Sequence, residues 1–245
     1  MSDFDKIINN AGISYEYFLD RLLEIYNDCN HENYLAEVFI PFFRMCCIDD
    51  VKVVPVFDDR KTGRKTENDT DAKKRMQIIS AKKYGCENQY VVPDYIYVPR
   101  EYSFYNPKKP IIMVETKNPC IISKNNKSKG TGYFYRSISD SIEDNENELL
   151  SEIQECGLVI YTDGLTWMFL EEKDGKIIES EKYETLSLVN LGDKYYKTNK
   201  VEKKNIEKEI DLTVIGIGKV SVKDVPDEWE KIIDTIKEIL NDLHA

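Results

Sequence analysis

The chain has 245 residues, of which 41% are hydrophobic and 32% charged, and this composition is that of a globular protein rather than a disordered one. No apolar run is long enough to cross a membrane, and the acidic N-terminus lacks the apolar stretch of a secretory signal. The sequence therefore predicts a cytoplasmic protein with no membrane partner. Six cysteines without a Cys-x-x-Cys pair, and only two histidines, argue against a structural zinc site.

The net charge of −11 is unevenly distributed along the chain. Between Arg60 and Arg136 there are 17 Lys and Arg against 7 Asp and Glu, a net of +10, whereas the remainder carries 17 against 38, a net of −21. Because charges beyond about 10 Å are largely screened at ~0.1 M salt, phosphate binding depends on the local field. The basic segment is compatible with a nucleic-acid partner, although solvated surface is the simpler explanation of the asymmetry.

Two helices and a strand are predicted in the first part of the chain. Apolar residues at helical spacing predict a helix over Tyr15–Cys29 and a second one from residue 30 or 31 to about Cys47. Pro41 should kink or split the second helix, because proline cannot donate the backbone hydrogen bond. Val51–Phe57 is predicted to be a strand, in which Pro55 indicates an edge or a bulge. Residues 58 to 88 are polar, basic and weakly patterned.

Strands dominate the middle of the chain, and a helix closes it. The predicted strands are Val91–Val98, Pro110–Lys117, Gly157–Thr162, Leu165–Leu170 and Lys176–Glu181, and the predicted helices are Ser139–Glu155 and Asp227–Leu243. This order predicts an α/β layered domain with a mixed sheet. We expect one domain over residues 1–190, then a linker and an amphipathic C-terminal helix over 191–245 that packs on or beside it.

Charged residues interrupt two of the predicted strands. Asp94 lies within Val91–Val98, and Glu115 and Lys117 lie at the end of Pro110–Lys117. An unpaired buried charge costs several kcal/mol or shifts its pKa, so a core strand should not carry one without a reason. Two acids and a lysine on neighbouring strands suit a metal-dependent phosphodiesterase, in which carboxylates hold a divalent cation and lysine steers the attacking water.

The alternation of a strand defines how these residues would be arranged. Residues two apart lie on one face at a separation of about 6.6 Å, so Glu115 and Lys117 should project together while Thr116 faces the other side. Asp94 and Glu115 would ligate Mg²⁺ or Mn²⁺, and the Thr116 carbonyl could add a further ligand. Glu37, an acid within an apolar helical stretch, is the candidate for the third carboxylate.

The motif Pro93-Asp94 followed, after 20 residues, by Glu115-Thr116-Lys117 resembles that of the PD-(D/E)xK nuclease superfamily. The stretch from Leu158 to Trp167, with its Thr-Asp-Gly turn, is similar to the strand–turn–strand of the N-terminal nuclease domain of type I restriction enzyme R subunits. The resemblance covers about residues 34 to 170. It implies a restriction-endonuclease-like mixed central sheet flanked by helices, with the C-terminal helix as an appendage.

The same resemblance implies magnesium-dependent cleavage of DNA in restriction, defence or phage biology. Asp94, Glu115 and Lys117 would be catalytic, with Glu37 as the auxiliary acid. The chain has no phosphate-loop motif, so translocation would belong to a separate motor or specificity subunit. Cutting both strands with one site per chain would favour a homodimer. One departure is that the helix after the lysine strand carries no clear Gln-x-x-x-Tyr, with Gln154 as its nearest substitute.

Further basic and aromatic residues are candidates for contact with nucleic acid. The set consists of residues that could grip phosphates or stack on bases, namely Lys124, Lys127, Lys129, Tyr133, Arg136 and Gln154. A solvated loop is the more ordinary explanation of such a stretch.

Ordinary structural explanations exist for the motif residues as well. Asp94 could be a turn residue after proline, Glu115 and Lys117 an ion pair along one strand, and Glu37 an acid at the solvent edge of its helix. Two other functions therefore stay open at this stage. One is a catalytically inactive module of the same fold that binds nucleic acid or a DNA-binding protein, and the other is an RNA nuclease, since the sequence does not separate DNA from RNA.

Overall fold

The computed structural model describes residues 12–28, 32–56, 85–86, 91, 93–103, 105–117, 120–122, 133–135, 138–188, 209–212, 218–221 and 227–244. Its α-helices are α1 Tyr15–Asp28, α2 Glu32–Met45, α3 Glu146–Cys156 and α4 Asp227–His244. Its strands are β1 Val51–Pro55, β2 Tyr95–Pro99, β3 Ile112–Thr116, β4 Cys120–Ile122, β5 Tyr133–Tyr135, β6 Val159–Thr162, β7 Thr166–Lys173, β8 Lys176–Glu179, β9 Leu186–Ser187, β10 Glu209–Leu212 and β11 Gly218–Ser221. In the parts of the chain so described, no helix is both long and apolar enough to span a bilayer.

A seven-stranded mixed sheet forms the centre of the fold. The strand order is β1-β2-β3-β6-β7-β8, and β9 also pairs with β7. β3 and β6 are parallel, whereas the other pairs of this sheet are antiparallel. The parallel pair needs a long connection, and α3 lies within it. The predicted α/β class with a mixed sheet is therefore confirmed.

Each face of the sheet packs against a different set of helices. α1, α2 and α4 share one hydrophobic core with alternate sheet residues such as Tyr97, Val114 and Trp167. The other face, with Met113 and Tyr161 among its members, shares a second core with α3. Burial of both faces explains why the central strands are apolar along their whole length rather than alternating.

Three local features differ from the expectation. α2 runs unbroken through Pro41, because Phe39, Phe42 and Phe43 around the proline are fully buried and their packing outweighs the lost hydrogen bond. Residues 139 to 145, predicted as the start of a helix, form two short 3-10 helices before α3 begins at Glu146. Residues 209–221 contain the antiparallel pair β10–β11, where the sequence indicated a linker.

The C-terminal helix belongs to the first of these cores. The Trp229 ring lies 5.1 Å from that of Phe18 and 4.9 Å from that of Phe42, measured between centroids. Ile232, Ile236, Ile239 and Leu240 of α4 are all completely buried. α4 thus packs directly on α1 and α2, while a domain boundary at residue 190 stays a prediction.

Candidate active site

The pairing of β2 with β3 determines where the two acids of the motif lie. Tyr95 pairs with Val114 and Ile96 with Met113. One further step of this antiparallel register sets Asp94 opposite Glu115, at the end of the sheet where β3 finishes. The local cause is the apolar composition of both segments, which buries them as neighbouring central strands and carries the acids with them.

Asp94 is held in place by the backbone and side chain of Thr116. The Thr116 N–H donates to Asp94 Oδ2 over 2.8 Å, and the Thr116 hydroxyl donates to the same oxygen over 2.5 Å. Thr116 is itself buried. Thr116 therefore orients the Asp94 carboxylate. A role for the Thr116 carbonyl as a metal ligand stays a prediction.

Glu115 and Lys117 are joined directly. The Lys117 ammonium donates a hydrogen bond to Glu115 Oε1, and the Glu115 side chain is nearly inaccessible to solvent while that of Lys117 is 19% exposed. Glu115 Oε2 is buried and accepts no hydrogen bond from the described residues. One oxygen of this carboxylate is thus neutralised, and the other is available to a ligand that the protein does not itself supply.

Alternation along β3 shows which face the Glu115 side chain occupies. Met113 belongs to the core beside α3 and Val114 to the opposite core, so Glu115 projects towards the α3 side. In the parallel register of β3 and β6, Glu115 pairs with Tyr161, which belongs to the α3-side core. The acid therefore faces the helix that follows the lysine strand.

A third acid, Glu152 of α3, is buried on that side. Its side chain is fully inaccessible, and both of its oxygens lack a hydrogen-bond partner among the described residues. The residue pattern of α3 alone assigns no role to Glu152. The signal that identifies it is its position between Leu149 and Ile153, which form the buried stripe of α3.

The electrostatics of the three acids follow from burial and from their proximity to one another. Burial raises the pKa of Glu115 well above its ordinary value, and the Asp94 carboxylate adds to this rise, while Lys117 opposes it. Burial likewise raises the pKa of Glu152, with Glu115, Glu148 and Asp94 adding to the effect and Lys117 opposing it. A site that gathers this much negative charge would be stabilised by a cation.

The lysine remains a cation in this environment. Burial lowers the pKa of Lys117, but the adjoining Glu115 carboxylate more than offsets this effect, and the resulting pKa lies above the ordinary lysine value. The direct hydrogen bond between the two favours an ionised pair. Glu152 has no such hydrogen bond among the described residues, and burial raises its pKa.

A hydrogen-bonded cluster borders the site on the β6 side. The hydroxyl groups of Tyr161 and Ser141 lie 2.6 Å apart, and the Asn145 amide donates to the Tyr161 hydroxyl over 3.3 Å. Burial raises the pKa of Tyr161 to about 12, and the hydrogen bond from Ser141 works against this rise. These contacts fix the 3-10 segment before α3 onto the strand that carries Tyr161, and the sequence offered no signal for them.

The turn between β6 and β7 lies at the same end of the sheet. The Lys117 N–H donates to the Thr162 carbonyl, and Asp163 Oδ1 accepts the N–H groups of Leu165 and Thr166. Gly164 has a φ of 84°, and a Cβ atom there would lie 2.8 Å from a methyl group of Leu22 on α1. The turn is thus closely packed, and it holds the backbone that leads away from Glu115.

The remaining sequence-predicted residues are not brought to this group. Glu37 is exposed on α2, and its carboxylate accepts two hydrogen bonds from Arg21, at 2.7 and 3.2 Å. No hydrogen bond joins Glu37 to Asp94, Glu115 or Lys117. Gln154 is exposed, two residues along α3 from the buried Glu152. Lys124, Lys127, Lys129 and Arg136 lie outside the described residues, as does the side chain of Tyr133 at the start of β5.

Two kinds of observation bear on a metal ion at this site. The buried, unpartnered oxygens of Glu115 and Glu152 are hard donors of the type that Mg²⁺ and Mn²⁺ prefer. Among the described residues, however, no three His, Cys, Asp or Glu side chains stand as a ready-made group for a metal ion. The donor chemistry fits, and the carboxylates would have to move closer together to share one ion.

Comparisons with models of protein families, with curated proteins and with solved structures find no match to this chain. The functional interpretation therefore depends on the side chains themselves. Its central elements are the ion pair between Glu115 and Lys117, the oriented Asp94 beside it, and the buried carboxyl group of Glu152.

Proposed function

We propose that the chain is a magnesium- or manganese-dependent endonuclease that hydrolyses phosphodiester bonds of DNA, with a role in restriction or defence or in a phage. One observation carries this proposal: Asp94 and Glu115 meet at the end of two adjacent strands, with the Lys117 ammonium on one Glu115 oxygen and the other oxygen buried without a partner. A buried carboxylate with an unpartnered oxygen lowers the stability of a core strand, so its presence favours a functional role.

Each residue has a distinct part in the proposed reaction. Asp94, oriented by Thr116, and Glu115 would hold the divalent cation, which would neutralise phosphate charge and lower the pKa of a water molecule. Lys117 keeps its proton, because its pKa lies above the ordinary value. Its role is therefore to orient the attacking water and to stabilise the negative phosphate oxygens, rather than to accept a proton.

The finer fold and partner assignments belong to the same proposal. A mixed central sheet with helices on both faces supports a restriction-endonuclease-like fold and the resemblance to PD-(D/E)xK nucleases. A homodimer, and a separate motor or specificity subunit, are the partners that this function would need.

A plasmid-nicking assay tests the activity. We expect the wild-type protein to convert supercoiled DNA to the nicked or linear form in Mg²⁺ or Mn²⁺ but not in EDTA, and Asp94→Asn and Lys117→Ala to lose at least about 100-fold in rate. Glu146→Gln, an exposed acid at the start of α3, is the matched control and should keep full activity. Equal rates in the wild type and all three variants would mean that any cleavage comes from a contaminant. Absence of cleavage of DNA and RNA, together with no stabilisation by either cation, would favour the inactive nuclease-fold module instead.

A further inference from the structure

Glu152 is the buried charged group that the proposed reaction has not yet used. It is 0% exposed, and neither of its oxygens has a hydrogen-bond partner in the described parts of the chain. A buried polar group without a partner costs about 1–3 kcal/mol, and more if it is charged. An apolar residue would serve the packing of α3 better, so the carboxyl group needs a reason outside packing.

The surroundings of Glu152 are those of the active site rather than of a structural ion pair. The ionisable groups that act on it are the carboxylates of Glu115, Glu148 and Asp94 and the ammonium of Lys117. Lys117 is the one cation among these four, and its hydrogen bond goes to Glu115. Glu152 therefore lies near Asp94 and Glu115 of the sheet and one helical turn from Glu148 of its own helix, without a counter-charge of its own among these acids.

We propose that Glu152 is a ligand of the same divalent cation as Asp94 and Glu115, so that the third carboxylate of the site comes from α3 and not from Glu37 on α2. This inference rests on the proposed function. The cation would supply the missing partner for the buried Glu152 oxygens and for Glu115 Oε2 together. Glu37, by contrast, is exposed and already engaged by Arg21.

Cation binding can be measured without DNA. The melting temperature of the wild-type protein should rise with Mn²⁺ or Mg²⁺ concentration relative to EDTA, because a ligand that binds only the native state stabilises it. Glu152→Gln should weaken the apparent Mn²⁺ affinity at least about tenfold. Loss of a residue that only hydrogen-bonds to a metal ligand already lowers metal affinity or activity by about 10–100-fold. Glu37→Gln, the matched control on α2, should bind Mn²⁺ as the wild type does, and Asp94→Asn should bind poorly.

The outcomes separate this inference from the proposed function. Wild-type affinity in Glu152→Gln together with a loss in Asp94→Asn would overturn the role of Glu152 and leave the metal centre in place. A loss in Glu37→Gln alone would return the third ligand to α2. If the wild-type melting temperature did not respond to either cation, both the metal centre and the role of Glu152 would be overturned.

Folding of the variants is checked in the same experiment. Cooperative melting of Glu152→Gln in EDTA shows that weakened Mn²⁺ binding is not a consequence of unfolding, and Glu152→Leu serves if the glutamine variant does not fold. Failure of both variants to fold would also overturn the proposal, because the carboxyl group would then be a structural element of the core.

Discussion

Replacement of Glu152 by leucine should stabilise the metal-free protein. Leucine continues the apolar stripe of Leu149 and Ile153 and removes two buried oxygens that have no hydrogen-bond partner among the described residues. Removing an unsatisfied buried polar group recovers about 1–3 kcal/mol, and each kcal/mol raises the melting temperature of a chain of this size by about 2–4 °C. The expected gain in EDTA is therefore about 2–12 °C.

The gain should also depend on pH. The raised pKa of Glu152 means that the folded state binds this proton more tightly than the unfolded state does. The wild type then loses stability as the pH rises above the ordinary value of 4.5 towards the folded pKa, whereas Glu152→Leu has no such proton to lose. The difference in melting temperature should accordingly be larger at pH 8 than at pH 5.

Thermal unfolding followed by circular dichroism in EDTA measures both effects. Glu152→Leu should have a higher melting temperature than the wild type in EDTA, and Mn²⁺ should raise that temperature only slightly. This result is expected for a binding site whose residues destabilise the protein when no ligand is bound. The reasoning would be refuted by a variant that melts several degrees below the wild type in EDTA, because Glu152 would then be stabilising the metal-free core through a contact of its own.

Three further variants test other parts of the structure. Lys117→Met leaves Glu115 buried without its hydrogen-bond donor and should lower the free energy of unfolding in urea by about 1–3 kcal/mol. The double variant with Glu115→Gln should restore most of this loss, whereas additive losses would exclude direct coupling of the pair. Gly164→Ala should lower the free energy of unfolding by about 1–3 kcal/mol more than its control Gly175→Ala. Both glycines have positive φ, but the new methyl group contacts neighbouring atoms at Gly164 and has nothing within 4 Å at Gly175. Equal losses in the two variants would show that the turn at Gly164 has room for a methyl group. Trp229→Ala should lower the free energy of unfolding by about 3–5 kcal/mol, and a loss below about 1 kcal/mol would mean that α4 is peripheral.

Most of the helices and strands could be predicted from the sequence because their patterns are local. The period of 3.6 in α1 and α4 and the apolar runs of β2 and β3 need no tertiary information to interpret. Pro41 is a case where local reasoning was wrong in part. Proline opposes a helix, and the burial of Phe39, Phe42 and Phe43 keeps α2 continuous around it.

The candidate site shows a similar division. The spacing of Glu115 and Lys117 predicted a shared face, and the structure joins them by a hydrogen bond, although their catalytic roles stay predictions. Glu152 could not be singled out from the sequence in the way that Glu37 was, since α3 carries four glutamates and their pattern does not show which of them lies at the site. They differ in tertiary environment: Arg21 binds Glu37 at the surface, whereas Glu152 is buried on the helix that packs on the Glu115 side of the sheet.

Placement of Trp229 between Phe18 and Phe42 has a consequence for synthesis of the chain. The rings that meet there are separated by about two hundred residues of sequence, so α1 and α2 leave the ribosome long before their partner does. Until α4 emerges, the part of the aromatic surface of α1 and α2 that contacts Trp229 has no cover and is open to association with chaperones or with other nascent chains. Completion of the first core is therefore a late event in translation, and premature termination before α4 should favour aggregation over a stable truncated fold.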